Sequence, residues 1–224
     1  SIQAGQCDLA LVVGAEKLTH QDKRRSFEAL GAAVDLERLD QLKRELYGDD
    51  VPPEGERSLF MDVYADMANQ YMERSAATEQ DFAAVAVKNH DHGALNPRAQ
   101  YRDPVTIEQV LNSRRISGPL TLLMCSPIGD GAAALLLASE EYSKRLGADG
   151  VRVRASALVS GLAGEEAPST RAAAQAYNQA GLGPEDIDVV ELHDAAAPAE
   201  LILYEELGLC AEGEGPKLLA SGHT

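Results

Sequence analysis

The sequence has no tryptophan and only 4% aromatic residues, so any core must rest on Ala, Val, Leu and Ile side chains. Its cysteines, Cys7, Cys125 and Cys210, are far apart and show no C-x-x-C spacing. A set this sparse and odd in number excludes a disulfide framework, gives no zinc-site pattern, and fits a reducing compartment such as the cytoplasm. No apolar run approaches the roughly 18 residues of a membrane helix, and nothing at the start reads as a signal peptide. Basic residues are also scarce. Lys and Arg number 20 against 36 Asp and Glu, a net charge of -16. A field of that sign argues against non-specific binding to nucleic acid or to an anionic membrane surface. A local basic patch could still hold an anionic ligand.

What is present is an ordinary globular balance, 45% hydrophobic and 25% charged, in a length of 224 residues that suits one large domain or two small ones. Asp8 to Gly14 is a short apolar run ending on glycine and predicts a buried strand in a parallel setting. From Glu16 to about Pro119 the chain turns polar, with amphipathic stretches over Ser58 to Arg74 and Thr78 to Lys88. Thr78 followed by Asp81 has the spacing of a helix cap with an acidic third residue. Gly48 to Gly55 is a loop, Asn96-Pro97 a turn, and Thr106 to Leu111 a short helix. Residues 16–118 therefore read as a mostly helical insertion.

Regular alternation resumes at Pro119. Strands are expected over Gly131 to Ser139, Val151 to Ser160 and Ile187 to His193, and helices over Glu140 to Leu146, Ser169 to Gly181 and Ala197 to Gly208. This order predicts an α/β fold, a mixed sheet covered by helices. Both ends read as cut. Ser1 to Gly5 looks like the last turn of a helix closed by Gly5, no initiator Met is present, and Lys217 to Thr224 stops without a closing element. The expectation is a fragment or part of a longer protein.

The richest stretch is Val189-Val190-Glu191-Leu192-His193-Asp194, where an apolar run ends on a His-Asp pair just before a helix-like segment. The end of a strand facing a helix start is where α/β proteins place chemistry. A lone His at a strand end is more often held by backbone than used in catalysis, and Asp194 could orient the imidazole or cap the helix, the reading we favour. His90 and His92 lie two apart on a helix and point to different sides, so they make a poor metal pair. Cys125 follows an apolar run, Cys210 lies past a helix end and Cys7 sits in a loop, so none is a nucleophile candidate. Asp130-Gly131-Ala132-Ala133-Ala134 lacks the remaining glycines and the Lys of a phosphate loop.

Four ordered segments, Gln3 to Lys17, Phe82 to Tyr101, Leu111 to Ala134 and Ala180 to Gly215, carry a resemblance along nearly the whole chain. They resemble, in turn, the strand after the nucleophile helix, the K-N-H…N-P-x-A-Q segment, the C-x-P-x-x-D-G-A-A-A return to the core, and the H-D-x-F segment of sterol carrier protein-type thiolases. The resemblance implies a thiolase-like fold with 1–15 and 119–139 in an N-terminal half, 16–118 as a helical loop domain, and 140–224 opening a C-terminal half. It implies a coenzyme A-dependent acyltransferase that cleaves or forms 3-ketoacyl-CoA, with coenzyme A as substrate, no covalently bound cofactor and no metal. His193 would line an oxyanion hole. Tyr64, Asn89, His90, Asp194 and Ala196 would border the acyl pocket. Ala196 stands where the family usually has Phe, which leaves room for a bulkier acyl group. The coenzyme A phosphates would meet cations such as Lys23, Arg24, Arg25, Arg114 or Arg115. The family's nucleophilic cysteine would precede Ser1, and its second His and Cys would follow Thr224, so these residues alone would be inactive. A homodimer is implied for the complete protein. Two other readings stay open: a thiolase-fold aldolase acting on acyl-CoA with an OB-fold partner, and a non-catalytic acyl-CoA-binding subunit.

Overall fold

The computed structural model describes every residue except 1, 32–34, 36, 52–57, 162 and 163. The loop expected over Gly48 to Gly55 therefore falls largely outside the described residues. In chain order the elements are β1 (Leu9–Lys17), α1 (Lys23–Gly31), α2 (Leu39–Tyr47), α3 (Leu59–Arg74), α4 (Glu79–Leu95), α5 (Ile107–Asn112), β2 (Arg115–Ser117) and β3 (Leu120–Thr121). They continue with a 3-10 turn (Leu122–Met124), β4 (Asp130–Ala138), α6 (Glu140–Leu146), α7 (Pro168–Ala180), a second 3-10 turn (Pro184–Asp186), α8 (Ala197–Glu206) and α9 (Gly215–Ala220). The chain forms two compact units, Ser1–Leu36 with Pro127–Arg154, and Glu37–Ser126 with Ala155–Thr224.

The first unit is built on a ribbon. Strands β1 and β4 pair antiparallel in unbroken register, from Leu9 opposite Ala138 to Lys17 opposite Asp130. Asp130 closes one end by accepting the backbone N–H groups of Leu18 (2.9 Å) and Thr19 (2.8 Å), and the Lys17 and Thr19 side chains bind the same carboxylate. These donors, Lys17 first, hold its pKa far below the usual carboxylate range. The apolar runs predicted both strands, but not their direction or burial. They run antiparallel to each other rather than in a parallel pair, and the ribbon is exposed along both faces, Leu11 at 65% and Leu136 at 70%. An apolar run specifies extended backbone; its direction follows from whichever strand it pairs with. Helix α6 begins and ends where the sequence predicts, with Ser139 capping the Tyr142 N–H (3.1 Å) and Gly147 in the left-handed region at φ 63°.

The second unit holds the core. Tyr71 of α3, Phe82 and Val85 of α4, Val110 of α5, Leu120 of β3 and Leu201 of α8 are fully buried together. The scarcity of aromatics is visible here, with the Tyr71–Phe82 pair (6.4 Å between centroids) surrounded by Ala65, Ala68, Ala83, Ala86 and Ala196. Small side chains let α3, α4 and α8 approach closely. Helix α4 opens on the predicted capping box, where Asp81 accepts from both the backbone and the hydroxyl of Thr78 at 2.8 Å. The start of α9 packs so tightly that a Cβ on Gly215 would sit 2.6 Å from the Tyr71 hydroxyl and 2.9 Å from the Leu201 carbonyl oxygen. Among the described residues, 16–118 carries helices α1 to α5, joined by irregular segments, besides the end of β1 and β2.

Two expected strands are absent. Residues 151–160 and 187–193 have no ladder partner among the described residues and form no strand. Alternating or apolar composition prepares a segment for a sheet, yet a strand exists only when a neighbour takes its N–H and C=O groups.

Candidate active site

The segment before α8 and the second half of α4 face one another in the second unit. Between them lies a cleft of about 1020 Å³, lined among others by Lys88, Asn89, His92, Leu192, Asp194, Glu200, Tyr204 and His223. A volume of this order accommodates a sizeable organic ligand.

On α4 the cleft residues are 88, 89 and 92, which a 3.6-residue repeat gathers on one face. His90 is turned away. Its Nδ1 lies 2.9 Å from the Asp103 carbonyl and its ring stands 6.5 Å from that of Tyr101, so it ties down the 101–103 segment. Of the two histidines, His92 lines the cleft. Among the described residues no cluster of three or more His, Cys, Asp or Glu side chains could hold a metal.

The cleft floor is a polar knot that sequence reasoning missed. Glu200, in the first turn of α8, is 3% exposed. Lys88 Nζ forms an ion pair with its Oε1, the Tyr204 hydroxyl donates to the same oxygen, and Asn89 Nδ2 donates to Oε2 at 2.8 Å. Lys88 also donates to the Tyr204 hydroxyl at 3.1 Å. Burial first, then the bond to Glu200, raises the Tyr204 phenol far above its ordinary value. A buried carboxylate demands such partners. The signal in the sequence was a glutamate inside an otherwise apolar helix, Ala197 to Tyr204, with a lysine on the opposing helix.

His193 and Asp194 part company. His193 is exposed, makes no side-chain hydrogen bond among the described residues and is not on the cleft wall. Asp194 is half-buried in the cleft, its carboxyl pushed up to about 6 by burial first and then by the Glu200 charge. It does not cap α8. The helix starts later, with Ala196 at the N-cap and Pro198 in the first turn, and no side chain caps it. Asp194 is thereby left facing the cleft. Tyr64, half-buried on α3, has its phenol pKa raised by burial and then by the Asp194 charge, which places it in the electrostatic reach of this site.

The remaining expected site residues are dispersed. Ala196 is completely buried in the core, paired across an antiparallel bridge with Cys125, and is not on the cleft wall. Lys23, Arg24 and Arg25 are exposed at the start of α1 in the first unit, where Arg24 binds Asp22 at 2.9 Å. Arg114 and Arg115 belong to the second unit, and Arg115 is engaged by Glu79 (3.1 Å) and the Gly118 carbonyl (3.0 Å). Burial raises the Cys125 thiol to about 11. Burial, then the charges of Glu205 and Glu214, raises Cys210 to about 11. Neither is a ready nucleophile.

Two family descriptions match the chain in series: "Thiolase, N-terminal domain" over residues 1–141 and "Thiolase C-terminal domain-like" over residues 161–224. Among curated proteins, the chain is 43% identical to benzoylsuccinyl-CoA thiolase subunit BbsB of Thauera aromatica over 170 residues, 72% of this chain and 44% of that protein. It is 34% identical to sterol carrier protein 2 of Oryctolagus cuniculus, covering 99% of this chain and 42% of that one. The acetyl-CoA acetyltransferase of Methanothermobacter thermautotrophicus is also 34% identical, over 100% of this chain and 56% of its own length. The chain thus spans about half the length of the relatives it matches. Among solved structures, an Ltp2-ChsH2(DUF35) aldolase superposes with a TM-score of 0.72 at 28% identity, over 99% of this chain and 57% of that chain. The dimeric peroxisomal thiolase of Saccharomyces cerevisiae shares the fold, with a TM-score of 0.58 at 21% identity, over 99% of this chain and 60% of that one.

Proposed function

The chain belongs to the thiolase family, and from that premise we propose that the complete protein is a coenzyme A-dependent acyltransferase of the sterol carrier protein-type branch. The reaction is thiolytic cleavage, or the reverse Claisen condensation, of a 3-ketoacyl-CoA. The observation that carries this reading is the likeness to sterol carrier protein 2 and an acetyl-CoA acetyltransferase along 99–100% of the chain. The cleft between α4 and the His-Asp segment supports it. Acyl transfer of this type divides one difficult step into two through a covalent acyl intermediate, with donors aimed at the oxygen that gains charge. His193 is proposed as one such donor, and Tyr64, Asn89 and Asp194 as residues around the acyl group. Lys23, Arg24, Arg25, Arg114 or Arg115 is the proposed source of a phosphate contact. In the complete protein, 1–15 and 119–139 belong to one thiolase half, 16–118 to a loop domain, and 140–224 to the second half. A homodimer and a cytoplasmic setting complete the reading. Among the described residues no helix is long and apolar enough to cross a membrane.

A second reading is favoured by the likeness to the Ltp2-ChsH2(DUF35) aldolase: an aldolase acting on acyl-CoA side chains together with a partner protein. The test is kinetic, on the full-length protein with coenzyme A and a 3-ketoacyl-CoA. His193→Ala is expected to lower kcat on the order of 100- to 1000-fold with a smaller change in KM, and His193→Asn to keep part of the activity. Near-wild-type kcat in His193→Ala would remove His193 from the chemistry. Retro-aldol products in place of thiolysis products would select the aldolase.

A further inference from the structure

Two consecutive residues of α4 hold the buried carboxylate of α8 between them. Lys88 takes one oxygen of Glu200 and Asn89 the other. We infer that Glu200 is a positioning residue for Asn89: it keeps the NH2 group of the side-chain amide turned inward, so that Asn89 offers the cleft its carbonyl oxygen as a hydrogen-bond acceptor for a donor on the bound ligand. That donor is an N–H or O–H group. The inference rests on the acyl-CoA reading above for the identity of the ligand, but not for the orientation of the amide.

The orientation follows from what a carboxylate can do. Paired with Lys88, Glu200 is an acceptor at both oxygens and a donor at neither. Its Oε1 is occupied by Lys88 and by the Tyr204 hydroxyl, and its Oε2 takes Asn89 Nδ2 at 2.8 Å. An amide turned the other way would set its own carbonyl oxygen against Oε2. Two acceptors would then face each other without a proton, and a charge-assisted hydrogen bond would be forfeited. The direction of the Asn89 amide is therefore fixed by the chemistry of its partner. With Nδ2 committed inward, the amide's carbonyl oxygen is left over. Among the described residues it accepts no hydrogen bond from the protein, and Asn89 is exposed on the cleft wall.

Glu200 itself is 3% exposed with both oxygens engaged, so a ligand meets Asn89 in its place. Lys88 alone supplies the counter-charge that a buried carboxylate requires. Asn89 adds no charge; it carries the acceptor character of the buried group out to the cleft wall, at a fixed place. An acceptor held in this way loses little freedom when a ligand binds. Coenzyme A carries suitable donors in the amide N–H groups of its pantetheine arm, and a hydroxylated acyl group carries another in its O–H. No covalent bond is made or broken.

The test uses the full-length protein and two readouts. The first is NMR of protein labelled with nitrogen-15 at asparagine, the Asn89 side-chain signal being assigned by its loss in Asn89→Leu. In wild type one Asn89 Nδ2 proton is expected downfield and slow to exchange. In Glu200→Gln it is expected at the free-amide position. Lys88 and Tyr204 still claim Oε1 there, the new Nε2 faces Asn89, and the Asn89 amide turns over to accept from it. The second readout is calorimetric binding of coenzyme A and of 3-hydroxybutyryl-CoA, an alcohol that thiolysis cannot cleave. Asn89→Leu is expected to weaken at least one of them about 3- to 10-fold, as the loss of one neutral hydrogen bond does. Glu200→Gln should weaken the same ligand by a similar factor, and Asn89→Leu/Glu200→Gln no further, because the acceptor is lost only once. A loss with coenzyme A assigns the donor to the pantetheine arm, and a loss confined to 3-hydroxybutyryl-CoA assigns it to the acyl hydroxyl. Where Glu200→Gln does not fold, Lys88→Met/Glu200→Gln removes both charges, leaves Tyr204 on Oε1 and replaces it in both readouts. A wild-type Asn89 signal at the free-amide position, one unmoved in Glu200→Gln, or additive losses in the double variant overturns the positioning by Glu200. A held amide with neither ligand weakened in Asn89→Leu overturns the ligand contact. A held amide in a wild type that binds neither ligand sustains the orientation and defeats the acyl-CoA reading together with that contact.

Discussion

Lys88→Met tests the polar knot most directly, because methionine keeps most of the apolar stem and removes the ammonium group with its charge and its donors to Glu200 and Tyr204. In the native protein the Lys88 side chain is 19% exposed and that of Glu200 4%, so the pair is largely out of water. Removing one partner of such a pair costs about 3–5 kcal/mol, since the other charge stays buried without its counter-ion. Glu200 would retain Asn89, at 2.8 Å, and the Tyr204 hydroxyl. Two surviving donors, and the option of taking up a proton, place the expected loss at the low end, about 3 kcal/mol. For a chain of this size that is a fall of about 6–12 °C in the melting temperature. With no tryptophan in the sequence, the assay is urea or thermal unfolding followed by far-ultraviolet circular dichroism. It reports mainly on the second unit, where α3, α4 and α8 lie. The double variant Lys88→Met/Glu200→Met removes both charges and should recover most of the loss. A single variant within about 1 kcal/mol of wild type, or a double variant no better than the single, would refute the claim that Glu200 depends on Lys88.

The remaining predictions concern pH and packing. The Asp194 carboxyl is raised in the folded state to about 6, so its contribution to stability is fully present below the unfolded value near ~4 and is lost as pH rises through the folded value. Allowing for solvent screening, the wild type should lose about 1–2 kcal/mol more than Asp194→Asn between pH 4 and 8, and parallel stability curves for the two would refute it. Gly215→Ala should destabilise by about 1–3 kcal/mol in urea unfolding, because the new methyl meets the Tyr71 hydroxyl and the Leu201 carbonyl; unchanged stability would mean that α9 shifts freely.

Much of the fold was legible because its signals are local. The Thr78–Asp81 box and the bounds of α6 and α7 are set by hydrogen bonds and backbone angles within a few residues, and they lie where the sequence puts them. The thiolase likeness is also in the sequence, and it supplied the family and the place of the His-Asp segment. The sequence could not say with which strand, or in which direction, an apolar run pairs. β1 joins β4 antiparallel, while 151–160 and 187–193 stay unpaired among the described residues. Pairing is a long-range choice whose free energy comes from groups elsewhere in the chain. Only the tertiary structure decided the chemistry of the cleft. Glu200 reads in the sequence as one acidic residue on a helix; packing α8 against α4 buried it and gave it Lys88 and Asn89, more than a hundred residues away. Asp194 reads as a helix cap, but it lies three residues before Ala197, where the helix begins, and it lines the cleft instead. A side chain's protonation state depends on the dielectric and charges around it, and those are properties of the assembled fold.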